Sequence, residues 1–381
     1  MQNSLFLITL ILLLAVSVSS SLCQTVEELF SQAETAFNSG DYTQAINLLN
    51  QAIELDPNNA QGYALKATAE GVAGDISAAK ADAEKALQLD AGVVQAYDVL
   101  ALVANSEGDF SLSLEMSDKA LALDPENFGA LYMQGVAYAS LGQLEPALSI
   151  LNKAMGIDPN YPEAYITRAR INGYLGNFQQ ALSDIDTYLQ MIPNDAYAYY
   201  FRSQTNAELK NYEQAIADCD KALQLNPNLA EAWDHRGAVK AMMGNFNDAL
   251  TDLNQALTLN PDYTDSYYNR AAVWAGLGEF AKAKGDYDKV LQTQPDNLSA
   301  LYQRAWINID LQDYKSAEED CTLLISKDPQ FYDAYYTRGR AYMLSGDNQR
   351  AEKDFQEVVK NAPDPELVKG AQEMLKQLAP K

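Results

Sequence analysis

Two hydropathy patterns divide the chain. Leu5 to Val18 is an almost unbroken apolar run of 14 residues, and no charged side chain occurs before Val26. From Val26 onward, apolar positions recur three and four apart, as in Ala147, Leu151, Ala154 and Ala249, Leu253, Ala256. That spacing places them on one buried face of a helix. The helical segments are interrupted at fixed intervals. Proline stands at 125, 159, 193, 227, 261, 295, 329 and 363, always 34 residues apart; Pro57 keeps the phase and Ala91 fills the skipped slot. Glycine keeps the same period at 40, 74, 108, 142, 176, 244, 278 and 346, with Lys210 and Gln312 in the two missing slots. A small residue follows five positions later, from Ala45 to Ala351, with Ser113 the one non-alanine. Ten units therefore run without insertion over residues 26–365, and a fixed period of this length predicts a solenoid.

Each unit predicts two helices. In the seventh, Ala232 to Met243 is the first, Gly244-Asn245 the turn and Asn247 to Leu259 the second. Asn260-Pro261 then ends the helix, because proline lacks a donor and disfavours helix in the residue before it. The glycine supplies the positive φ that closes the first helix. The aromatic two residues on (Tyr42, Phe110, Phe178, Tyr212, Phe246, Phe280, Tyr314) plugs the turn, and the small slot lets two helices approach. Residues 366–381 carry Leu367, Met374, Leu375 and Leu378 and predict the C-terminal capping helix that a solenoid needs.

These residues resemble the tetratricopeptide repeat family. The large, small, aromatic pattern of its first helix is matched by Trp233 and Gly237, by Tyr267, Ala271 and Trp274, and by Tyr335, Gly339 and Tyr342. The second-helix pattern is matched by Ala147, Leu151, Ala154, Pro159 and by Ala249, Leu253, Ala256, Pro261. The resemblance implies an all-α solenoid, a right-handed superhelix of antiparallel helix pairs whose first helices line a concave groove.

The apolar run at the start is short of the roughly 20 residues that cross a bilayer. Followed by Ser19-Ser20-Ser21-Leu22-Cys23, it reads as a signal peptide over residues 1–23, cleaved after Cys23 or near Ser21. The alternative is a retained membrane anchor over residues 5–22. The expectation is entry to the secretory route, ending outside the cell or in the endoplasmic reticulum lumen, without membrane insertion once the signal is removed.

The repeats allow an internal comparison. Arg168, Arg202, Arg236, Arg270, Arg304 and Arg338 share one slot of the first helix; Asp184, Asp218, Asp252, Asp286, Asp320 and Asp354 follow sixteen residues later on the second. Lys66 and Asp82 repeat the pair. Where the base is missing the acid is too: Gln32 with Leu48, Leu100 with Met116, Gln134 with Ile150. Co-occurrence of this kind predicts a structural ion-pair ladder between packed helices. It leaves open whether each arginine meets its own unit's aspartate or the preceding one. A row of arginines gripping an acidic ligand is the rival reading.

One helical step from the packed stripe, first-helix residues should face the groove. From the fourth unit these are Tyr132, Arg170, Tyr174, Tyr197, Tyr200, Phe201, Gln204, His235, Tyr268, Asn269, Tyr302, Gln303, Trp306, Tyr336 and Arg340. Aromatic and amide side chains suit peptide recognition, but they also serve to pack helices. In the first three units the same positions hold Ala64, Leu65, Thr68, Gly71, Asp98, Val99 and Leu102.

Composition narrows the function. There are 52 acidic and 27 basic residues, one histidine and three cysteines. Net charge −25 argues against nucleic acid and anionic lipid. Residues 26–160 hold 20 acids against five lysines; this field draws a basic partner or simply keeps an extended solenoid soluble. The Lys and Asn clamp of tetratricopeptide proteins that bind the acidic C-terminus of heat-shock chaperones is not matched, since Ile166, Tyr200, Asp234, Tyr268 and Tyr302 fill those positions. The Asp-x-Asp pairs (184/186, 218/220, 286/288) do not share a helix face. His235 has no partner for a metal site, and neither a catalytic triad nor a phosphate loop is present, so no metal or cofactor is expected. Cys219 and Cys321 read as buried free thiols, and Asn297-Leu298-Ser299 is the single glycosylation sequon. The expected function is a non-catalytic scaffold, not an enzyme, that binds a protein or extended peptide, with Tyr200, Phe201, Tyr268, Tyr302, Trp306 and Tyr336 as leading contacts. The alternative is a co-chaperone or assembly factor of the secretory lumen.

Overall fold

The computed structural model describes residues 25–379; the proposed signal segment and the last two residues lie outside them. Among the described residues there are 21 α-helices and no strand. The chain divides after Tyr188 into two compact units. The first holds α1 (Val26–Asn38), α2 (Tyr42–Leu55), α3 (Ala60–Ala73), α4 (Ile76–Leu89), α5 (Val94–Glu107), α6 (Phe110–Leu123), α7 (Phe128–Ser140), α8 (Leu144–Ile157) and α9 (Pro162–Tyr174). The division falls within α10 (Phe178–Met191). The second unit holds α11 (Ala196–Glu208), α12 (Tyr212–Leu225), α13 (Ala230–Met242), α14 (Phe246–Leu259), α15 (Thr264–Gly276), α16 (Phe280–Thr293), α17 (Leu298–Asp310), α18 (Tyr314–Lys327), α19 (Tyr332–Ser345), α20 (Asn348–Asn361) and α21 (Pro365–Leu378). None of these helices is long and apolar enough to cross a membrane.

Odd-numbered helices up to α19 are the first of each pair, and even-numbered ones the second. The turn glycines from Gly40 to Gly346 all have positive φ, and Lys210 and Gln312 adopt the same left-handed conformation at φ 61°. Geometry, not residue identity, is thus the constant of this slot. The next residue caps the second helix where it is aspartate: Asp41, Asp75, Asp109, Asp313 and Asp347 each accept an amide hydrogen bond from the residue three on. In the seventh pair, α13 starts at Ala230, two residues before the expected Ala232, because Leu229 serves as N-cap without a side-chain bond.

Cores form along each pair. In the first, Ala45, Leu48, Leu49 and Ala52 of α2 close on Leu29, Ala33 and Ala36 of α1. Small residues permit the approach. A Cβ added at Gly135 would lie 2.7 Å from Leu151 Cγ, at Gly237 2.8 Å from Leu253 Cγ and at Gly339 2.8 Å from Phe355 Cε1. Other units carry alanine or serine at that slot, and Ala305 shares a buried cluster with Cys321. Ser203 bonds the Ala215 carbonyl at 2.7 Å and sits 3.0 Å from Cys219 Sγ. At the end, α21 covers Val358 and Phe355 with Leu367, Ala371, Met374, Leu375 and Leu378. Its observed span, Pro365–Leu378, begins one residue before the expected cap.

Candidate functional site

The arginine series sits in one repeated cradle. Arg168 donates from Nε and Nη2 to Asp184 at 2.9 and 2.6 Å, and from Nη1 to Asn152 at 2.7 Å. Arg270 does the same to Asp286 at 2.8 and 2.8 Å and to Asn254 at 2.6 Å. Arg304 pairs with Asp320 and reaches Asp288; Arg338 pairs with Asp354 and reaches Thr322; Arg236 pairs with Asp252 and reaches Asp220. Arg202 is two-pronged on Asp218. The guanidinium groups of Arg168, Arg236, Arg270, Arg304 and Arg338 therefore bind their own unit's second helix and, sixteen residues back, the preceding one. Aromatic rings three residues earlier support it: Tyr165, Tyr199, Trp233, Tyr267 and Tyr335 lie 4.5 to 5.8 Å from the guanidinium carbon. The edge that would grip an acidic ligand is already on an aspartate. Asp220 and Asp288, the outer members of two Asp-x-Asp pairs, are thereby ion-paired. Lys66 meets Asp82 at 2.8 Å and Glu70 at 3.5 Å. Burial, helped by Asp82 and opposed by Lys66, pushes the Glu70 carboxyl up to about 7. Gln134, which lacks an acid of its own, reaches back to Asp118 at 2.8 Å.

The tyrosines expected in the groove are mostly packed. Tyr132, Tyr200, Tyr268, Tyr302 and Tyr336 are half-buried. Tyr132 stacks on Phe128 and meets the edge of Tyr161 at 5.1 Å. Tyr302 meets Phe331 at 5.2 Å, Tyr268 meets Tyr287 at 5.6 Å and Tyr336 meets Phe355 at 5.7 Å. Tyr200 lies 5.9 Å from His235 and accepts from Gln204 Nε2 at 2.9 Å. Phe201 is half-buried on the same helix. Trp306 lies under the Arg340 guanidinium at 4.3 Å. Four residues of the set stand clear: Tyr174, 76 % exposed, Tyr197, 60 % exposed, and the exposed Arg170 and Gln303. In the first of the two compact units, Tyr132, Val136, Thr167, Arg170 and Tyr174 line a cleft of about 760 Å³ between α7 and α9. Tyr132 and Thr167 share a hydroxyl hydrogen bond of 3.3 Å across it.

Family models described as tetratricopeptide repeat or TPR repeat match residues 35–69, 104–171, 166–230, 242–278, 275–330 and 332–365, together well over half of the chain. The chain belongs to the tetratricopeptide repeat family. No curated protein matches it in sequence. Among solved structures, it is similar to a tetratricopeptide repeat protein from Parabacteroides merdae at 21 % identity, covering 66 % of this chain and 98 % of that one, with TM-score 0.50. Yeast Tom70 is 16 % identical over 93 % and 95 % of the two chains, with TM-score 0.47. YrrB, titled a TPR protein with an unusual peptide-binding site, is 23 % identical over 49 % and 97 %, with TM-score 0.41. The first of these shows the shared fold. As a tetratricopeptide repeat protein, the chain is a protein-interaction scaffold.

Two acids occupy the slot that holds tyrosine elsewhere in this tetratricopeptide repeat protein. Asp98 accepts from Asn127 Nδ2 at 3.0 Å, its Oδ1 has no partner among the described residues, and burial pushes its carboxyl up to about 6. Asp234 is buried; burial also raises it, against bonds from Ser266 at 2.7 Å and Asn269 at 3.1 Å. Asn269, expected to face a ligand, is thus occupied. Burial pushes the His235 imidazole down, against its bond to the Ser203 backbone, and leaves Nε2 unpartnered among the described residues. Among those residues no group of His, Cys, Asp and Glu is placed to hold a metal. Cys219 and Cys321 are fully buried free thiols, pushed up to about 12 by burial. Asn297 is the N-cap of α17: Oδ1 accepts from the Ala300 amide at 3.0 Å and Nδ2 donates to Gln294 at 2.9 Å. The sequence reading passed over one further site, an apolar cleft in the first pair. Its clue was available, since Phe30 and Phe37 share the helix face of the later tyrosines.

Proposed function

We propose that this tetratricopeptide repeat protein is a non-catalytic scaffold that holds a peptide or protein partner on the first-helix face of its units, after entering the secretory route. The observation that carries the reading is the exposure of Tyr174 and Tyr197, large side chains left uncovered on that face while their tyrosine neighbours are packed. Such exposed aromatics favour contact with a partner. Arg170, beside Tyr174 in the same cleft, enters no ion pair among the described residues and offers a donor to a carboxylate or a backbone carbonyl. Entry to the secretory route rests on the uncharged apolar run from Leu5 to Val18. The two thiols do not oppose it. Fully buried and held protonated, they are inert toward disulfide exchange.

The test is affinity purification of the full chain from cells and from medium, with mass spectrometry of the bound proteins and of the mature N-terminus. The same partner should be recovered at stoichiometric yield by the parent and lost by Tyr174→Ala combined with Arg170→Ala and Tyr197→Ala. Unchanged recovery by that variant removes the assignment of this face. A retained Met1 removes the signal assignment.

A further inference from the structure

The first helix pair carries a cleft that the reading above does not use. It measures about 490 Å³ and opens between α1 and α3, with Phe30, Phe37, Leu49 and Leu65 forming its apolar surface and Glu27 and Glu34 among its lining residues. It is the counterpart of the cleft between α7 and α9, one slot at a time. Phe30 stands where Tyr132 stands, Leu65 where Thr167 stands, and Glu34 where Val136 stands. The arginine and the two bonded hydroxyls of the later cleft have no counterpart at their slots, the hydroxyls of Ser31 and Thr68 line this one instead, and acids stand at its edge.

We propose that this cleft is a second docking site, one that takes a bulky apolar side chain of a partner protein flanked in sequence by lysine or arginine. The floor fixes the first half of that chemistry. Leu49 is buried and the two phenylalanines are only half covered, so an apolar side chain seated there leaves water without displacing any polar contact. Charge fixes the second half. Glu27 and Glu34 are exposed and enter no ion pair among the described residues. Between Val26 and Lys66 there are six acids, Glu27, Glu28, Glu34, Asp41, Glu54 and Asp56, and no base. Lys66 itself is held by Asp82 and Glu70. No cation of the chain close in sequence answers this rim, so complementarity must come from the ligand. A segment with acidic flanks meets like charge at both edges and is rejected. The site lies on the first-helix face of the proposed function but shares none of the contacts named there, Arg170, Tyr174 and Tyr197, so the two can fail separately.

Fluorescence anisotropy on the full chain tests it with three short labelled peptides. One has a central Leu-Phe pair between lysines, one has the same centre between glutamates, and one keeps the lysines but replaces the centre with serines. The first alone should bind. Glu27→Lys with Glu34→Lys should weaken it about tenfold, about 1.4 kcal/mol, and should shift the preference toward the glutamate-flanked peptide. Thr68→Trp, which fills the cleft from α3, should abolish binding, with circular dichroism reporting the fold; the charge reversal needs no repacking and stands if the tryptophan variant misfolds. Tyr174→Ala with Tyr197→Ala should leave this binding unchanged, so failure here and failure of the proposed function are told apart. The proposal is overturned if no peptide binds, if all three bind alike, or if charge reversal has no effect. It is also overturned if sedimentation shows a dimer that the reversal dissolves while no peptide binds, which assigns the cleft to a second copy.

Discussion

Arg270 gives the sharpest test of how the helix pairs are held together. Replacing it with methionine keeps much of the aliphatic stem but removes two bonds of 2.8 Å to Asp286 and one of 2.6 Å to Asn254. It also removes the guanidinium 5.4 Å from the Tyr267 ring. The Asp286 side chain is only 10 % exposed and is left without its counter-ion. Breaking a buried pair from one side costs about 3–5 kcal/mol, mostly because a desolvated charge stays behind. Arg236 provides an internal control. Its partner Asp252 also accepts from Lys240 Nζ at 2.7 Å, a contact that survives Arg236→Met. A retained charge-assisted bond is worth about 1.5–3 kcal/mol, so this variant should lose only about 2 kcal/mol. Removing both members at once, Arg270→Met with Asp286→Leu, should be close to neutral, because the charge that made the single change costly is gone. Repeat proteins need not unfold in one step. Urea denaturation by circular dichroism should therefore be paired with hydrogen exchange of α15 and α16. The reasoning is refuted if Arg270→Met costs less than about 0.5 kcal/mol, the level of an ordinary surface change. It is equally refuted if the double variant is less stable than the single one.

Two further changes probe the core and the buried acids. At Gly237, a methyl group would lie 2.8 Å from Leu253 Cγ and 3.1 Å from the Ala249 carbonyl, so Gly237→Ala should lose about 1–3 kcal/mol by overpacking, measured by the same urea titration. Asp98 has a folded-state pKa raised to about 6, so the folded state binds more protons than the unfolded one between about pH 4 and 6. Stability from this group is therefore greatest below pH 4 and falls as pH rises through 6. Asp98→Asn should match the parent at pH 4 and exceed it by about 2 kcal/mol above pH 6, as read from parallel denaturation curves at the two pH values.

The repeat framework was legible because single residues carry it. Proline, the turn glycine and the small slot recur at one spacing, and each acts on its immediate neighbours in the chain. The arginines and aspartates were legible as partners because they vanish together. Their reach to the preceding unit was not, since the receiving residues vary from copy to copy: Asn152, Asp220, Asn254, Asp288 and Thr322 share a position but not one chemical type. The groove set shows the limit of periodicity. Helical spacing placed Tyr132, Tyr174 and Tyr302 on one face, but whether a ring stays open depends on what closes over it. Tyr161 and Phe331, the N-caps of α9 and α19, fold onto Tyr132 and Tyr302; nothing comparable among the described residues meets Tyr174. The acids at Asp98 and Asp234 escaped notice as buried groups because their slot holds tyrosine in five other units. The cleft of the first pair escaped because Phe30, Phe37, Leu49 and Leu65 have the spacing of ordinary core residues.

On the proposed function, the first-helix faces, and not the second-helix faces, meet a partner. Site-specific photocrosslinking tests it directly. A benzophenone amino acid is placed at Tyr174 and Tyr197 on first helices, and at the exposed Leu323 on the second helix α18. The full chain is then irradiated in the cells that make it and the adducts are identified. Partner adducts should form from 174 and from 197, and none from 323. Adducts of equal yield from all three positions, or from 323 alone, would contradict it.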